Sequence, residues 1–130
     1  MGVFNWFKGG EEAEAGQLNK AKWNILETES QLEELISNSE ERLQIIFKNS
    51  TSCGISGIVR RSFEANYPPE FSQADLYLLH VQYNRELSSA IAQQFGVRHE
   101  SPQLLIIRNG NVIGHASHGA INGISVSDYL

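Results

Sequence analysis

Arg42 to Phe63 reads RLQIIFKNSTSCGISGIVRRSF, and this stretch decides the fold. Leu43, Ile45, Ile46 and Phe47 form a β-rich run too apolar for a strand with one face in water. Arg42 to Lys48 is therefore predicted as a central strand, covered on both faces. Asn49-Ser-Thr-Ser-Cys-Gly follows, a loop rich in residues that cap helix N-termini. Ile55, Ile58, Val59 and Phe63 then recur at helical spacing, so the loop delivers the chain into a helix.

The flanking segments repeat the alternation. Upstream, Trp23 to Glu27 reads as a short strand before the capping-box pattern Thr28-x-x-Gln31 and a helix bearing Leu32, Leu35 and Ile36. Downstream, Pro68-Pro69 and Ser72 mark a loop, and Leu76 to Val81 is a second nearly continuous apolar strand. Asn84 is a candidate N-cap for a helix carrying Leu87, Ile91 and Phe95, which Gly96 would end. Strand and helix alternating three times imply an α/β protein with a parallel sheet covered on both faces. The end of the chain differs: Leu104 to Arg108 and Val112 to His115 flank Asn109-Gly110, a strong hairpin signal, and Ile121 to Leu130 is expected to close with a short helix.

The composition restricts the function classes. The chain has 130 residues, enough for one core, with 41% hydrophobic and 19% charged residues. A net charge of −5 argues against nucleic acid, whose phosphates require clustered Lys and Arg. No apolar run approaches the roughly 18 residues of a membrane span, and Lys8 followed by Glu11, Glu12 and Glu14 is the wrong order for a signal peptide. Residues 1–22, with Gly9-Gly10 and Gly16, read as a flexible extension before a domain at 23–130. A single cysteine excludes an internal disulfide framework, and the expected location is the reducing cytoplasm.

That cysteine, Cys53, falls at the predicted helix start. Free N–H groups and the positive dipole end there stabilise a thiolate by about 0.3–2 kcal/mol, and such cysteines are typically reactive. Ser56, three residues on, is on the same side of the helix and could donate a hydrogen bond to the sulfur. It cannot resolve a mixed disulfide as a second thiol would, so the resolving thiol must come from another molecule. A buried structural cysteine is the plain alternative, against which the polar loop Asn49-Ser-Thr-Ser argues. His99, His115 and His118 could gather as metal ligands, but no spaced carboxylate or second cysteine joins them, so no metal site is expected.

The element order is that of the thioredoxin superfamily, and Asn84 to Gly110 resembles its second half: a helix ending in Phe95-Gly96-Val97, then Ser101-Pro102, then a strand and Asn109-Gly110. Phe47-Lys48-Asn-Ser-Thr-Ser-Cys-Gly-Ile-Ser56, Glu100-Ser101-Pro102-Gln103 and His115-Ala-Ser-His118 together resemble the YtxJ family, small monothiol thioredoxin-like proteins of the bacillithiol system. The resemblance spans about residues 23–130. It departs at Gly54, where the family usually has Pro. Cys-Gly-x-Ser also resembles the monothiol glutaredoxins that carry iron–sulfur clusters, although His115 to Gly119 does not match their late glutathione segment.

The resemblance implies a thioredoxin fold with a mixed central sheet, a parallel core plus a C-terminal β-hairpin, covered by helices. It implies a cis Pro102 lying against the cysteine, with Ser101 presenting its backbone to a bound thiol compound. Lys48 could place a positive charge near an anionic thiol ligand; its plain reading is a solvated strand-end lysine. The function expected is thiol–disulfide exchange, removing a low-molecular-weight thiol, bacillithiol, from mixed disulfides on proteins through Cys53. No cofactor would be bound permanently, bacillithiol would be a co-substrate, and the protein would be a monomer or weak dimer. Two chains sharing an iron–sulfur cluster, and a redox-inactive interaction domain of the same fold, are the competing expectations.

Overall fold

The computed structural model describes residues 22–51, 54–66 and 72–130. The extension at 1–21, the Pro68-Pro69 loop, Ser52 and Cys53 lie outside the described residues. Among the described residues, five strands form one mixed sheet: β1 (Trp23–Ile25), β2 (Leu43–Asn49), β3 (Ala74–His80), β4 (Gln103–Arg108) and β5 (Asn111–Ser117). The α-helices α1 (Glu29–Asn38), α2 (Gly54–Ala65) and α3 (Arg85–Phe95) connect the first four of them in chain order. The spatial order is β1-β3-β2-β4-β5, with β1 and β2 parallel to β3 and with β4 antiparallel to both β2 and β5.

β2 is the predicted central strand, and all seven of its residues are buried. Side chains alternate across it, as the pleat requires. Leu43, Ile45 and Phe47 pack with Val59 and Phe63 of α2 and with Leu104 and Ile106 of β4. Ile46 joins Leu32 and Leu35 of α1 and Leu87 and Ile91 of α3 on the opposite face. The α1 capping box forms as expected: Gln31 N–H donates to Thr28 Oγ1 at 3.1 Å, and Thr28 N–H donates to Gln31 Oε1 at 3.0 Å.

Two expectations are refined. Asn84 is the N-cap residue of α3, as expected, but its side chain makes no capping bond, and its Nδ2 donates to His80 O at 3.0 Å. The closing helix is replaced by two 3₁₀ turns, His118–Gly123 and Val126–Tyr129. Ile121 and Val126 still enter the α2-side core. Gly119, Gly123, Ser125 and Ser127 leave too little helix-forming sequence for a regular α-helix. Among the described residues no helix is long and apolar enough to cross a membrane.

The hairpin turns through Asn109 (φ 53°) and Gly110 (φ 77°), the two left-handed residues that a two-residue hairpin turn demands. Ser39, fully buried at the end of α1, holds this turn: its carbonyl accepts from Asn109 N–H at 2.8 Å and its Oγ from Gly110 N–H at 2.9 Å. Ser39→Ala removes the acceptor of the half-buried Gly110 N–H and the donor to Ile36 O, and should therefore cost roughly 1–3 kcal/mol. Urea titration should show a lower midpoint with an unchanged slope.

Candidate active site

α2 begins at Gly54, immediately after Cys53 in the chain. Its inward face, Ser56, Val59 and Phe63, is buried, while Ile55 and Ile58 are 61% and 59% exposed. The helix is seated by an aromatic group: Trp23, Phe47 and Phe63 have ring centroids 5.9–6.2 Å apart. Trp23 Nε1 also donates to Glu64 Oε2, which Arg60 approaches within 3.7 Å. These contacts join β1, β2 and α2, and so fix where the first turn of α2 emerges above the sheet.

Ser56, expected to face the sulfur as a donor, has no accessible surface. Its Oγ accepts from Ser50 N–H at 3.2 Å, tying the β2–α2 loop to the helix. From the other side Gln82, in the 3₁₀ turn Val81–Tyr83 after β3, engages the same loop. Thr51 N–H donates to Gln82 Oε1 at 3.0 Å, and Gln82 Nε2 donates to Ser50 Oγ at 3.0 Å. At the end of β2, Asn49 Nδ2 and His80 Nδ1 are 3.3 Å apart.

The Ser101–Pro102 peptide bond is cis. Pro102 is buried and Ser101 half-buried at the start of β4. Pro102 O accepts from His118 N–H at 2.9 Å, which fastens this corner to the end of β5. His118 in turn faces Glu100, with 3.6 Å between Nδ1 and Oε1.

Lys48 is the clearest departure from the sequence reading. It is fully buried rather than solvated. Strand alternation turns it to the α1/α3 face, away from α2, where Nζ donates to Ser88 O at 3.2 Å and lies 3.2 Å from His99 Nδ1. Ser88 Oγ is 2.9 Å from the same nitrogen. A neutral His99 accepting at Nδ1 fits both neighbours. Burial lowers the Lys48 pKa from the ordinary 10.5 to about 8, and burial together with the Lys48 charge lowers that of His99, against an opposing pull from Glu100. In this conformation the ammonium has no surface with which to meet a bound thiol compound. Among the described residues no three His, Cys, Asp or Glu side chains are grouped to hold a metal.

The mixed sheet, the helix beginning beside the lone cysteine and the cis-proline corner define an α/β protein of thioredoxin fold. The model of the family described as monothiol bacilliredoxin BrxC matches residues 24–126, and the chain belongs to that family. Its function accordingly lies in thiol–disulfide redox chemistry. Among solved structures, a protein described as having a thioredoxin fold and a proposed oxidoreductase role is 34% identical, with a TM-score of 0.68 over 80% of this chain and 89% of its own. Thioredoxins from Trypanosoma brucei brucei (19% identity, TM-score 0.64, 78% of this chain and 83% of that one) and Schistosoma mansoni (20%, 0.63, 85% and 94%) share the fold.

Sequence reasoning missed Gln82 and the partnership of Lys48 with His99. Gln82 lies in no motif, the motif that holds Lys48 says nothing of His99, and both interactions join elements more than thirty residues apart. For Lys48 the sign of the linkage is definite. Its folded pKa lies below its unfolded one, so between about pH 8 and 10.5 the unfolded chain binds more protons and stability from this group rises with pH. Below about pH 8 the cost of burying the charge is constant. Denaturation of wild type and Lys48→Met across pH 7–11 should show wild type gaining on the variant through that window, and a pH-independent difference would count against a buried, titrating Lys48.

Proposed function

We propose that this protein removes a low-molecular-weight thiol, bacillithiol, from mixed disulfides on other proteins, with Cys53 as nucleophile. The observation that carries the reading is that the match to a monothiol bacilliredoxin family encloses Cys53, which directly precedes the twelve-residue helix α2. Unpaired N–H groups and the dipole at such a helix start favour an anion. The resemblance to the YtxJ family supports the choice of thiol.

In the first step the Cys53 thiolate attacks the bacillithiol sulfur of the mixed disulfide. A new S–S bond joins Cys53 to bacillithiol, the old bond breaks, and the client protein leaves as its thiolate. A second bacillithiol thiolate then attacks that sulfur, releasing bacillithiol disulfide and restoring Cys53. Each exchange conserves electrons, and no bound cofactor takes part. Ser101 and Pro102 form the corner that would receive the thiol compound. Ser56, which already accepts from Ser50, would act on Cys53 chiefly by fixing the loop.

The test follows the adduct by mass. A bacillithiolated client protein should lose one bacillithiol as the chain gains one, free bacillithiol should release it, and Cys53→Ser should abolish transfer. Equal rates with glutathione would reduce the protein to an unselective exchanger. Failure with both thiols, together with visible absorbance after anaerobic purification, would overturn the reading in favour of an iron–sulfur cluster shared between chains.

A further inference from the structure

Gln82 belongs to no motif, yet its amide meets the loop leading to Cys53 with both of its ends. Ser50 N–H is held from the other direction by the buried Ser56 hydroxyl. Ser50 and Thr51 are thus held both by the turn after β3 and by α2. Cys53 is three residues from both Ser50 and Ser56 in the chain. We propose that Gln82 is a positioning residue for thiol exchange, holding Ser50 and Thr51 and so setting the course of the loop that leads to Cys53. The inference rests on the reading of Cys53 as the nucleophile.

A primary amide suits this task. It offers a donor and an acceptor on one plane, matching the Ser50 hydroxyl and the Thr51 N–H. It does so without charge, whereas a carboxylate at the same place could keep both contacts, with Ser50 as donor, but would oppose a nearby thiolate. Pinning the loop also removes backbone freedom that would otherwise be lost in each encounter with a disulfide, the general advantage of a preorganised site.

The full-length chain should be compared as wild type, Gln82→Leu, Gln82→Glu, Ser50→Ala and the Gln82→Leu/Ser50→Ala double variant. The readouts are iodoacetamide alkylation against pH, exchange with a bacillithiolated client protein, and thermal melting. Gln82→Leu should move the alkylation midpoint to higher pH and slow exchange about tenfold, the factor that corresponds to about 1.4 kcal/mol. The double variant should be little worse than Gln82→Leu, because both changes break the same contact. Gln82→Glu should melt close to wild type yet alkylate at still higher pH. An alkylation profile unchanged in both Gln82 variants, whatever happens to the melting temperature, would leave Gln82 with a structural role only and overturn the proposal. Should Gln82→Leu fail to fold, Gln82→Glu and Ser50→Ala decide it by the same measure. A wild-type midpoint at the ordinary thiol value of about 8.5 would instead overturn Cys53 as an activated nucleophile, a failure distinct from that of Gln82.

Discussion

The pairing of β2 with β3 on one edge and β4 on the other is the constraint from which the rest of the structure follows. A strand hydrogen-bonded along both edges and buried on both faces has its register fixed twice over, since a slip of one residue would exchange the two faces. The apolar residues are divided accordingly, with Leu43, Ile45 and Phe47 toward α2 and Ile46 toward α1 and α3. The polar residues of the strand must find partners inside the protein. Gln44 Nε2 donates to Asp75 Oδ2 at 2.7 Å, and Lys48 reaches Ser88 and His99. Where β2 ends, at Asn49, the loop to the cysteine begins at a point the sheet has already determined.

α2 is then positioned from below and from the side. Phe63 and Val59 seat it on the β2 face, Trp23 and Glu64 join it to the edge strand, and Ser56 joins its first turn to the loop. The C-terminal 3₁₀ turn His118–Gly123 contributes Ile121 to the same core, and the residue that opens it, His118, bonds to Pro102. The cis-proline corner and the helix that follows the cysteine in the chain are therefore braced by one cluster of apolar side chains, although they are about fifty residues apart in the sequence. Ile55 and Ile58 are left on the outer face of the helix, where a client protein bound at the proposed site would meet apolar surface.

Much of this was legible in the sequence because the signals were local. The Leu43 to Phe47 run could be read as a doubly covered strand, Thr28-x-x-Gln31 as a capping box and Asn109-Gly110 as a hairpin turn. Each depends on residues within a few positions of one another. The strand over residues 42–48 missed its observed bounds by one position at each end, an ordinary uncertainty where backbone pairing rather than side-chain pattern sets the limit. Lys48 was misread because composition says that a lysine after an apolar run is at the surface, while its fate depends on α3 bringing Ser88 and the loop bringing His99. Gln82 carried no signal at all, since a glutamine has meaning only through what it faces. The 3₁₀ turns at the C-terminus were hidden for a related reason: Ile121 and Val126 have apolar spacing compatible with a helix, but burial against α2 fixes them without one.

A protein with one cysteine cannot close an internal disulfide, so both halves of an exchange cycle are bimolecular and depend on access and on the fraction of thiolate. Access is consistent with the exposed Thr51, Gly54 and Ile55 around the loop. Thiolate could be favoured either by a nearby cationic side chain or by the backbone itself. Lys48, the cation closest in sequence, is committed to the opposite face of the sheet, and the side chains that hold the loop, Gln82 and Ser56, are neutral. On the proposed reading, the source of stabilisation would be the N–H groups that the first turn of any helix leaves without an intrahelical partner, whose effect on an anion falls off within about one helical turn. Activation of that kind demands placement more than charge. On the proposed reading of Cys53, this accounts for a loop fastened from two elements, and for a neutral amide rather than a lysine or arginine in that place.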